Sequence, residues 1–415
     1  MRRWMIIDLR PFVLLIVGLI GTWLLVRWLA RRSVDATGLE AAVVGVLAGP
    51  FAQDLVSASM LRELSPVISF AIGALGLRVG LRLRVDTIRN RPDDTFRITL
   101  IIAMVTALLV GSAVYGLLYW NFDAGNVGAA TGILTAAALL AAPSIVEELA
   151  KRHGASGQIT SLVHQVAILS EVLAILALGV VLSVFHVGPD SIGTSRPLVA
   201  VEWLALAIAV GVLTGLLFAW FLGTVERAEN PLVVTLFAMV LVATGIAYTL
   251  SLSPLFVCLV CGITVANSSP VSPLIEEVAV GMWKPLLAIL VFVAACAWRP
   301  PPFVTWVLIP TVIIMRLGGR WIGGVCARIA CSSERDRPTE RIGVSLLGQG
   351  GIVIAMAVST WQVYNDAISS TVLTCLLLVG ILNELPSVWV IETTLIDVGD
   401  YPAEPPKSDP VEETT

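Results

Sequence analysis

The sequence predicts an all-α polytopic membrane protein with about thirteen transmembrane helices. Hydrophobic residues make up 57% of the 415 residues and charged residues only 13%, a far more apolar composition than that of ordinary globular domains. Apolar windows of about 20 residues, the length that crosses a hydrocarbon core of roughly 30 Å, follow one another along almost the whole chain. Arg and Lys between these windows are concentrated on one side. Such a chain is expected to be a membrane transporter or scaffold rather than an enzyme.

The predicted spans begin after a short basic N-terminus and end before an acidic, proline-rich tail. They cover residues 11–30, 38–53, 64–80, 97–120, 126–149, 157–185, 198–223, 231–251, 253–267, 274–298, 303–328, 339–361 and 367–391. The second and ninth are barely long enough to cross a bilayer, which favours helices packed inside a bundle. Residues 1–391 are thus the predicted transmembrane domain, and 392–415 a short disordered cytoplasmic tail.

The distribution of Arg and Lys predicts the orientation of the chain. Six of the 26 lie on the N-terminal side, eighteen lie on the other side, and two lie within a span. Because cytoplasmic loops carry the excess of positive charge, the N-terminus is expected outside and the C-terminus in the cytoplasm, with the protein in the plasma or inner membrane. The basic loop after residue 80 is expected to meet anionic membrane lipids. No nucleic-acid partner is indicated.

The first span is too long, and too richly followed by Arg, for a cleaved signal peptide. The next, GLEAAVVGVLAGPF at 38–51, is rich in small residues that allow close helix packing. The segments 198–223 and 231–251 are plain apolar helices, expected to act as scaffold or subunit contact.

The stretch from Thr131 to Phe185 is the centre of the predicted site. Its first half is an apolar helix that contains Pro143, whose ring removes a backbone donor and should break the helix there. Its second half is a spanning helix with Glu171 in the middle. A carboxylate at that depth costs roughly 2.5 kcal/mol or more, so it is a candidate functional residue. A broken helix beside a buried acid is typical of an ion site in a transporter.

From residue 253 onward the chain repeats its earlier order of elements, although the residue identity is faint. Five segments, two intervening helices and five more segments place the second copy inverted in the membrane, as in many transporters. The interruption that corresponds to Pro143 is Gln349-Gly350-Gly351, where paired glycines loosen the helix. The two breaks are expected to bring half-helix ends, with their partial charges, together near the bilayer centre.

Arg316 lies in the middle of the span IIMRLGGRW and is the expected charge-balancing partner of Glu171. The alternative is an arginine that donates hydrogen bonds to the exposed carbonyls of a broken helix. Arg320 lies one turn later on the same face. It is expected near the end of the span, with its charge reaching toward water.

Neutral and titratable side chains near Glu171 complete the candidate site. His164 lies two helical turns before Glu171 on the same face and is a possible proton relay. Oxygen donors that could replace water around a cation are Ser170, Thr135, Ser144 and Gln349. Cys258 and Cys261 form a C-x-x-C within an apolar segment, where core packing is the favoured interpretation. No cofactor is expected, and no metal other than the transported cation.

At these residues the chain resembles the monovalent cation/proton antiporter superfamily, with its sodium/hydrogen exchanger domain, over residues 38–390. Family members show a Thr-Ser-Pro or Thr-Asp-Pro break, and 141–143 read Ala-Ala-Pro here. The site helix of the family bears Asn-Asp, Asp-Asp or Gln-Asp, and 170–171 read Ser-Glu. The family's conserved Arg or Lys corresponds to Arg316, and its Gly-Gly helix is similar to LLGQGGIVIAMAV.

The resemblance implies an NhaA-like antiporter fold of thirteen helices in a homodimer that works by alternating access. In that arrangement a core domain, here about 64–185 and 274–391, slides against a dimerisation domain, here about 11–53 and 198–267. The transported monovalent cation and the proton are then the small-molecule partners.

The chain departs from the family pattern at several positions and is therefore a divergent member. The site acid is Glu171 rather than aspartate, Ser170 replaces its usual neighbour, and Ala141 and Ala142 replace polar residues of the break. Val166 stands where electroneutral members carry a further glutamate. With one carboxylate in the motif, the resemblance implies electroneutral exchange of one proton per cation.

We therefore expect exchange of Na⁺ or K⁺ for H⁺, with Glu171 alternately protonated and cation-loaded. One alternative is a non-transporting membrane sensor or scaffold in which Glu171 and Arg316 form a fixed, sealed ion pair. Another is a symporter of a small organic anion with a similar architecture, which would need a larger cavity.

Overall fold

The computed structural model describes residues 39–49, 58–84, 93–121, 124–153, 157–187, 198–223, 229–269, 272–331, 341–364 and 367–398. The predicted span 11–30 and most of the basic loop after residue 80 lie outside these ranges. Within them all regular structure is helical and no strand occurs, which confirms the predicted all-α class.

Fourteen α-helices occur in the described parts of the chain. In chain order they are α1 Leu39–Ala48, α2 Ala58–Glu63, α3 Ser65–Leu81, α4 Asp93–Tyr119, α5 Ala124–Ala138, α6 Pro143–His153, α7 Gln158–Val184, α8 Ala200–Leu222, α9 Glu229–Thr249, α10 Pro254–Ser268, α11 Ser272–Ala297, α12 Phe303–Ala330, α13 Ile352–Val363 and α14 Ala367–Val398. A 3₁₀ turn at Val344–Leu346 precedes α13.

The helices confirm a multi-pass membrane protein. Among the described residues, six stretches are long and apolar enough to span, namely Asp94–Tyr119, Val127–Lys151, Gln158–Val184, Ala200–Leu222, Leu232–Thr249 and Phe303–Ala330. The bent helix α14 adds a seventh, and four shorter apolar helices accompany them. The total of thirteen spans stays a prediction. Helix α14 continues to Val398, so residues 392–398 of the predicted tail are helical; the division into a transmembrane domain and a tail stays a prediction.

Glycines set the closest helix contacts, as the small-residue pattern predicts. Gly80 of α3 and Gly262 of α10 face each other, because a Cβ atom built on Gly80 would lie 3.0 Å from the Cα atom of Gly262. On α1, a Cβ atom at Gly45 would lie 2.6 Å from the backbone oxygen of Phe292 in α11. The backbones approach closely because no side chain separates them. The short helix α10 is accordingly buried along most of its length.

The two predicted copies of the repeat contact each other in a matching way, because the first helix of each copy packs on the second helix of the other. Helix α1 packs on α11, and α3 packs on α10. The third helices of the two halves, α4 and α12, form one of the two most extensive contacts, and the helices next to the two breaks, α5 and α13, also touch. These contacts bring the helices that carry the candidate site residues next to one another.

Two neighbouring glycines of α12 test the close contact with α4. A Cβ atom at Gly319 would lie 2.8 Å from the Cα atom of Thr106, whereas nothing in the described chain lies within 4 Å of one at Gly318. We expect Gly319→Ala to lower the free energy of unfolding by about 1–3 kcal/mol, because α12 must move away from α4. Gly318→Ala, the matched control, should keep or slightly raise the melting temperature in detergent. Equal melting temperatures of the two variants would contradict the described packing.

Candidate functional site

The first helix break lies between α5 and α6. Helix α5 ends at Ala138, the next four residues are not helical, and Pro143 begins α6. The break predicted at Pro143 is therefore confirmed, with the proline at the first position of the second half-helix, where its missing N–H is not needed. The last turn of α5 tightens, since the N–H groups of Leu139 and Leu140 bond to carbonyls three residues back at 3.1 and 3.2 Å. The last backbone carbonyls of α5 have no N–H partner within the helix.

The second break is a non-helical segment at 347–350, between the 3₁₀ turn and α13. Gly350 has a φ of +62°, a left-handed conformation that glycine adopts without strain. A Cβ atom at Gly350 would lie 3.1 Å from that of Ala142, so the two breaks touch here. Gln349 donates from Nε2 to the carbonyl of Ala137 at 3.0 Å. The breaks thus meet as predicted, although only a 3₁₀ turn precedes the second one in the described chain.

Arg316 joins the two breaks through backbone carbonyls. Its guanidinium is completely buried and donates to Ala138 and Leu140 at 3.0 and 2.7 Å, across the C-terminal end of α5. On the other side it donates to Leu347 at 2.6 Å and to Leu346 at 3.5 Å. These carbonyls carry the partial negative charge of two helix ends, that of α5 and that of the 3₁₀ turn. A planar group with several N–H donors satisfies both sides at once.

The expected pairing of Arg316 with Glu171 is therefore wrong. The alternative interpretation is correct, because Arg316 donates hydrogen bonds to the carbonyls of a broken helix. Carbonyls without a partner are costly where water is absent. The expectation for Arg320 is also wrong. Arg320 is 1% exposed and donates to the carbonyls of Leu139 and Leu140 at 2.6 and 2.8 Å, because the same helix end offers more carbonyls than one arginine can bind.

Glu171 lies on α7 and is 7% exposed. Within the described parts of the chain its carboxylate makes neither a hydrogen bond nor an ion pair. Charged residues close enough to interact electrostatically with Glu171 include Arg82, Arg78 and Glu147. A carboxylate at this depth without a direct partner is unfavourable as a bare anion. It can become neutral by taking a proton, or it can bind a small cation.

A polar cluster joins Glu147 of α6, His164 of α7 and Arg82, the residue after α3. Glu147 Oε1 is 3.4 Å from Nε2 of His164 and 3.7 Å from Nη2 of Arg82. The side chains of Glu147 and His164 are 35% and 27% exposed, so this cluster reaches the surface. His164 thus has the position of a relay between surface and site, and the relay itself stays a prediction. Sequence reasoning missed Glu147, although its place one turn after Pro143 was a usable signal.

Three of the predicted oxygen donors lie on three different helices, α5, α6 and α7. Ser170 is buried next to Glu171, and Ser144 is the second residue of α6, partly exposed. The buried hydroxyl of Thr135 has no hydrogen-bond partner in the described chain, and it faces Gly111 of α4. Ion binding by these three residues stays a prediction. Cys258 and Cys261 are buried in the core.

Glu384 on α14 is a site residue that the sequence analysis did not identify. Its Oε2 atom accepts the N–H of Gly350 at 3.2 Å, which places a second carboxylate at the second break. The available signal was an acid in an otherwise apolar span, two residues before a proline.

Comparisons with known proteins agree with this architecture. Residues 14–385 match the family model described as sodium/hydrogen exchanger, transmembrane. The fold is similar to the structure at pH 8 of the sodium proton antiporter MjNhaP1 from Methanocaldococcus jannaschii, with a TM-score of 0.65 and 13% identity over 94% of this chain and 97% of that chain. The fold is also similar to that in an electron microscopy map of the same antiporter. Here the TM-score is 0.63 and the identity 15%, over 96% of this chain and 100% of that chain. No curated protein matches. At these identities the likeness to the two structures concerns the fold alone.

Arg316→Lys tests the bridge between the breaks. Lysine carries one compact ammonium and cannot reach carbonyls on both sides, so we expect the free energy of unfolding to fall by about 2 kcal/mol or more. The control is Arg97→Lys in α4. The side chain of Arg97 is 56% exposed and lies 3.8 Å from Asp94. Because an exposed ion pair contributes little, this variant should leave the free energy of unfolding unchanged. Melting temperatures in detergent decide the comparison, and a stable Arg316→Lys protein would argue against the bridge.

Proposed function

This chain belongs to the sodium/hydrogen exchanger family, and we propose that it exchanges a monovalent cation, Na⁺ or K⁺, for H⁺ at Glu171. The family assignment makes it a transporter and not an enzyme. The observation that supports the site is the environment of Glu171, a deeply buried carboxylate without a direct partner in the described chain. Such a group binds either a proton or a cation, and the two compete because both neutralise one negative charge.

The arrangement around Glu171 supports the proposed exchange cycle. Arg316 and Arg320 are committed to backbone carbonyls, so neither holds the carboxylate in a permanent ion pair. The residual exposure of Glu171 and the surface cluster at Glu147 and His164 suggest a path on one side. Closing that path and opening another would give alternating access. Ser170 and Ser144 are the proposed neutral ligands that assist dehydration of the cation.

The division into moving parts is also a proposal. The reciprocal contacts between α1 and α11 and between α3 and α10 support two inverted copies of five helices. We propose that the core, about 64–185 and 274–391, moves against the scaffold, about 11–53 and 198–267, in a homodimer. Exchange would be electroneutral, because one carboxylate carries either one proton or one monovalent cation. The N-terminus outside and the C-terminus in the cytoplasm follow from the positive-inside rule.

The two alternative functions have no specific observation in their favour. The sensor or scaffold hypothesis requires direct contact between Glu171 and Arg316, and Arg316 is instead bonded to Ala138, Leu140 and Leu347. The organic-anion symporter requires a positively charged cavity. The two most buried arginines near the breaks are already occupied by carbonyl oxygens.

Glu171→Gln tests the site directly. In proteoliposomes with a pH-sensitive dye inside, we expect the wild-type protein to change the internal pH when Na⁺ or K⁺ is added, and Glu171→Gln to abolish that change. The amide is nearly isosteric but cannot take up a proton or carry a charge. Because Glu171 makes no hydrogen bond in the described chain, the melting temperature should not fall.

The matched control is Glu63→Gln on α2, an exposed glutamate that should leave exchange unchanged. Exchange at the wild-type rate in Glu171→Gln would disprove the role of this residue. A wild-type protein inactive with Na⁺, K⁺ and Li⁺ would disprove the proposed cargo class.

A further inference from the structure

We propose that Glu384 is the counter-charge of Arg316 and the positioning residue of the second helix break, which leaves Glu171 to bind the transported ion. The statement about Glu171 rests on the proposed function. The statement about Glu384 concerns only contacts within this protein and can be tested without transport.

The geometry places Arg316 and Glu384 at opposite ends of one short backbone segment. Arg316 Nη1 binds the carbonyl of Leu347 at 2.6 Å, and three residues later the N–H of Gly350 binds Oε2 of Glu384 at 3.2 Å. The non-helical segment 347–350 is thus held by a cation at the carbonyl of Leu347 and by an anion at the N–H of Gly350. Each contact complements the partial charge of the backbone group it meets.

The shape of α14 brings Glu384 to this position. The helix bends by 40° between the stretches Ser369–Glu384 and Pro386–Thr394, because Pro386 cannot donate the backbone hydrogen bond that would continue a straight helix. Ser387 also lies on the break, since a Cβ atom at Gly348 would be 3.3 Å from its Oγ atom. Glu384 is therefore presented to Gly350 at the bend.

The charges of the two breaks are complementary. Arg316 and Arg320 lie at the C-terminal end of α5, which carries partial negative charge, and Glu384 lies at the N-terminal end of α13, which carries partial positive charge. Glu384 is the acid that contacts the second break, and Arg320 is the like charge beside Arg316, since both arginines bind the carbonyl of Leu140. The acid that balances Arg316 therefore comes from α14, and the charge of Glu171 on α7 is not needed for this purpose.

A stability cycle tests the pairing independently of transport. The variants are Arg316→Gln, Glu384→Gln and the double variant, each measured by melting temperature in detergent. Glu384→Gln keeps an oxygen that can accept the N–H of Gly350 but removes the charge, so it isolates the electrostatic part. We expect the double variant to lose less stability than the two single losses together, because a buried charge without its partner is the main cost. Losses that simply add would overturn the pairing.

Transport kinetics test the consequence for Glu171. Glu384→Gln replaces a charged acceptor with a neutral one and so weakens the contact that positions the second break. We therefore expect the KM for the cation to rise by roughly threefold or more while kcat changes little. Glu384→Asp, which keeps the charge, should restore a KM near the wild-type value. A purely structural role would lower the amount of active protein without changing KM. The control is Glu392→Gln, two turns later on the same helix.

The outcomes separate this inference from the proposed function. If wild-type protein exchanges cations and Glu171→Gln abolishes exchange, but Glu384→Gln changes neither KM nor stability, the inference is wrong and the proposed function stands. If wild-type protein exchanges nothing, the proposed function fails and the stability cycle alone decides the pairing. If Glu384→Gln does not yield folded protein, recovery of a folded double variant supports the pairing, and no recovery overturns it.

Discussion

The structure depends on one constraint, which is that backbone carbonyls released within the membrane must find donors inside the protein. Helix α5 stops at Ala138 in the middle of the bundle, where water cannot solvate its last carbonyls. Arg316 and Arg320 supply the missing donors, and Gln349 supplies one more. Two buried guanidinium groups would be very costly alone. They are tolerated because a helix end with partial negative charge surrounds them.

This solution determines what the remaining charges can do. Arginines bound to a fixed helix end cannot also neutralise Glu171, so the carboxylate keeps its capacity to bind a proton or a cation. Two charged residues that interact with it are Arg78 on α3 and Arg82, which directly follows α3, and Arg82 also contacts Glu147 near the surface. The charges that stabilise the fold and those that surround the proposed ion site are thus largely separate sets. In the proposed exchange cycle, Glu171 would therefore gain and lose its proton while the two breaks stay intact.

Much of the fold follows from the sequence alone, because hydropathy, proline and glycine act locally. The long apolar helices of the described chain, the break at Pro143, the second break near Gln349 and the isolation of Glu171 in an apolar helix are all properties of single segments. The partners of Arg316, the burial of Arg320 and the contact of Glu384 with Gly350 are not local. They depend on how far α12 and α14 reach toward the end of α5, and a side-chain charge in one segment does not identify which backbone group in another it will meet.

The departures from the family pattern at the first break also have a physical basis in this arrangement. Ala142 stands where the family commonly places a hydroxyl or a carboxylate, and here its Cβ atom faces Gly350 across the crossing of the two breaks. A longer polar side chain at 142 would have to occupy the space through which Gly350 approaches. Glycine in a left-handed conformation and alanine opposite it allow this close crossing. The polar groups missing from the break are replaced by backbone carbonyls and by side chains from α12 and α14, so the charge balance of the site depends on neighbouring helices rather than on the break itself.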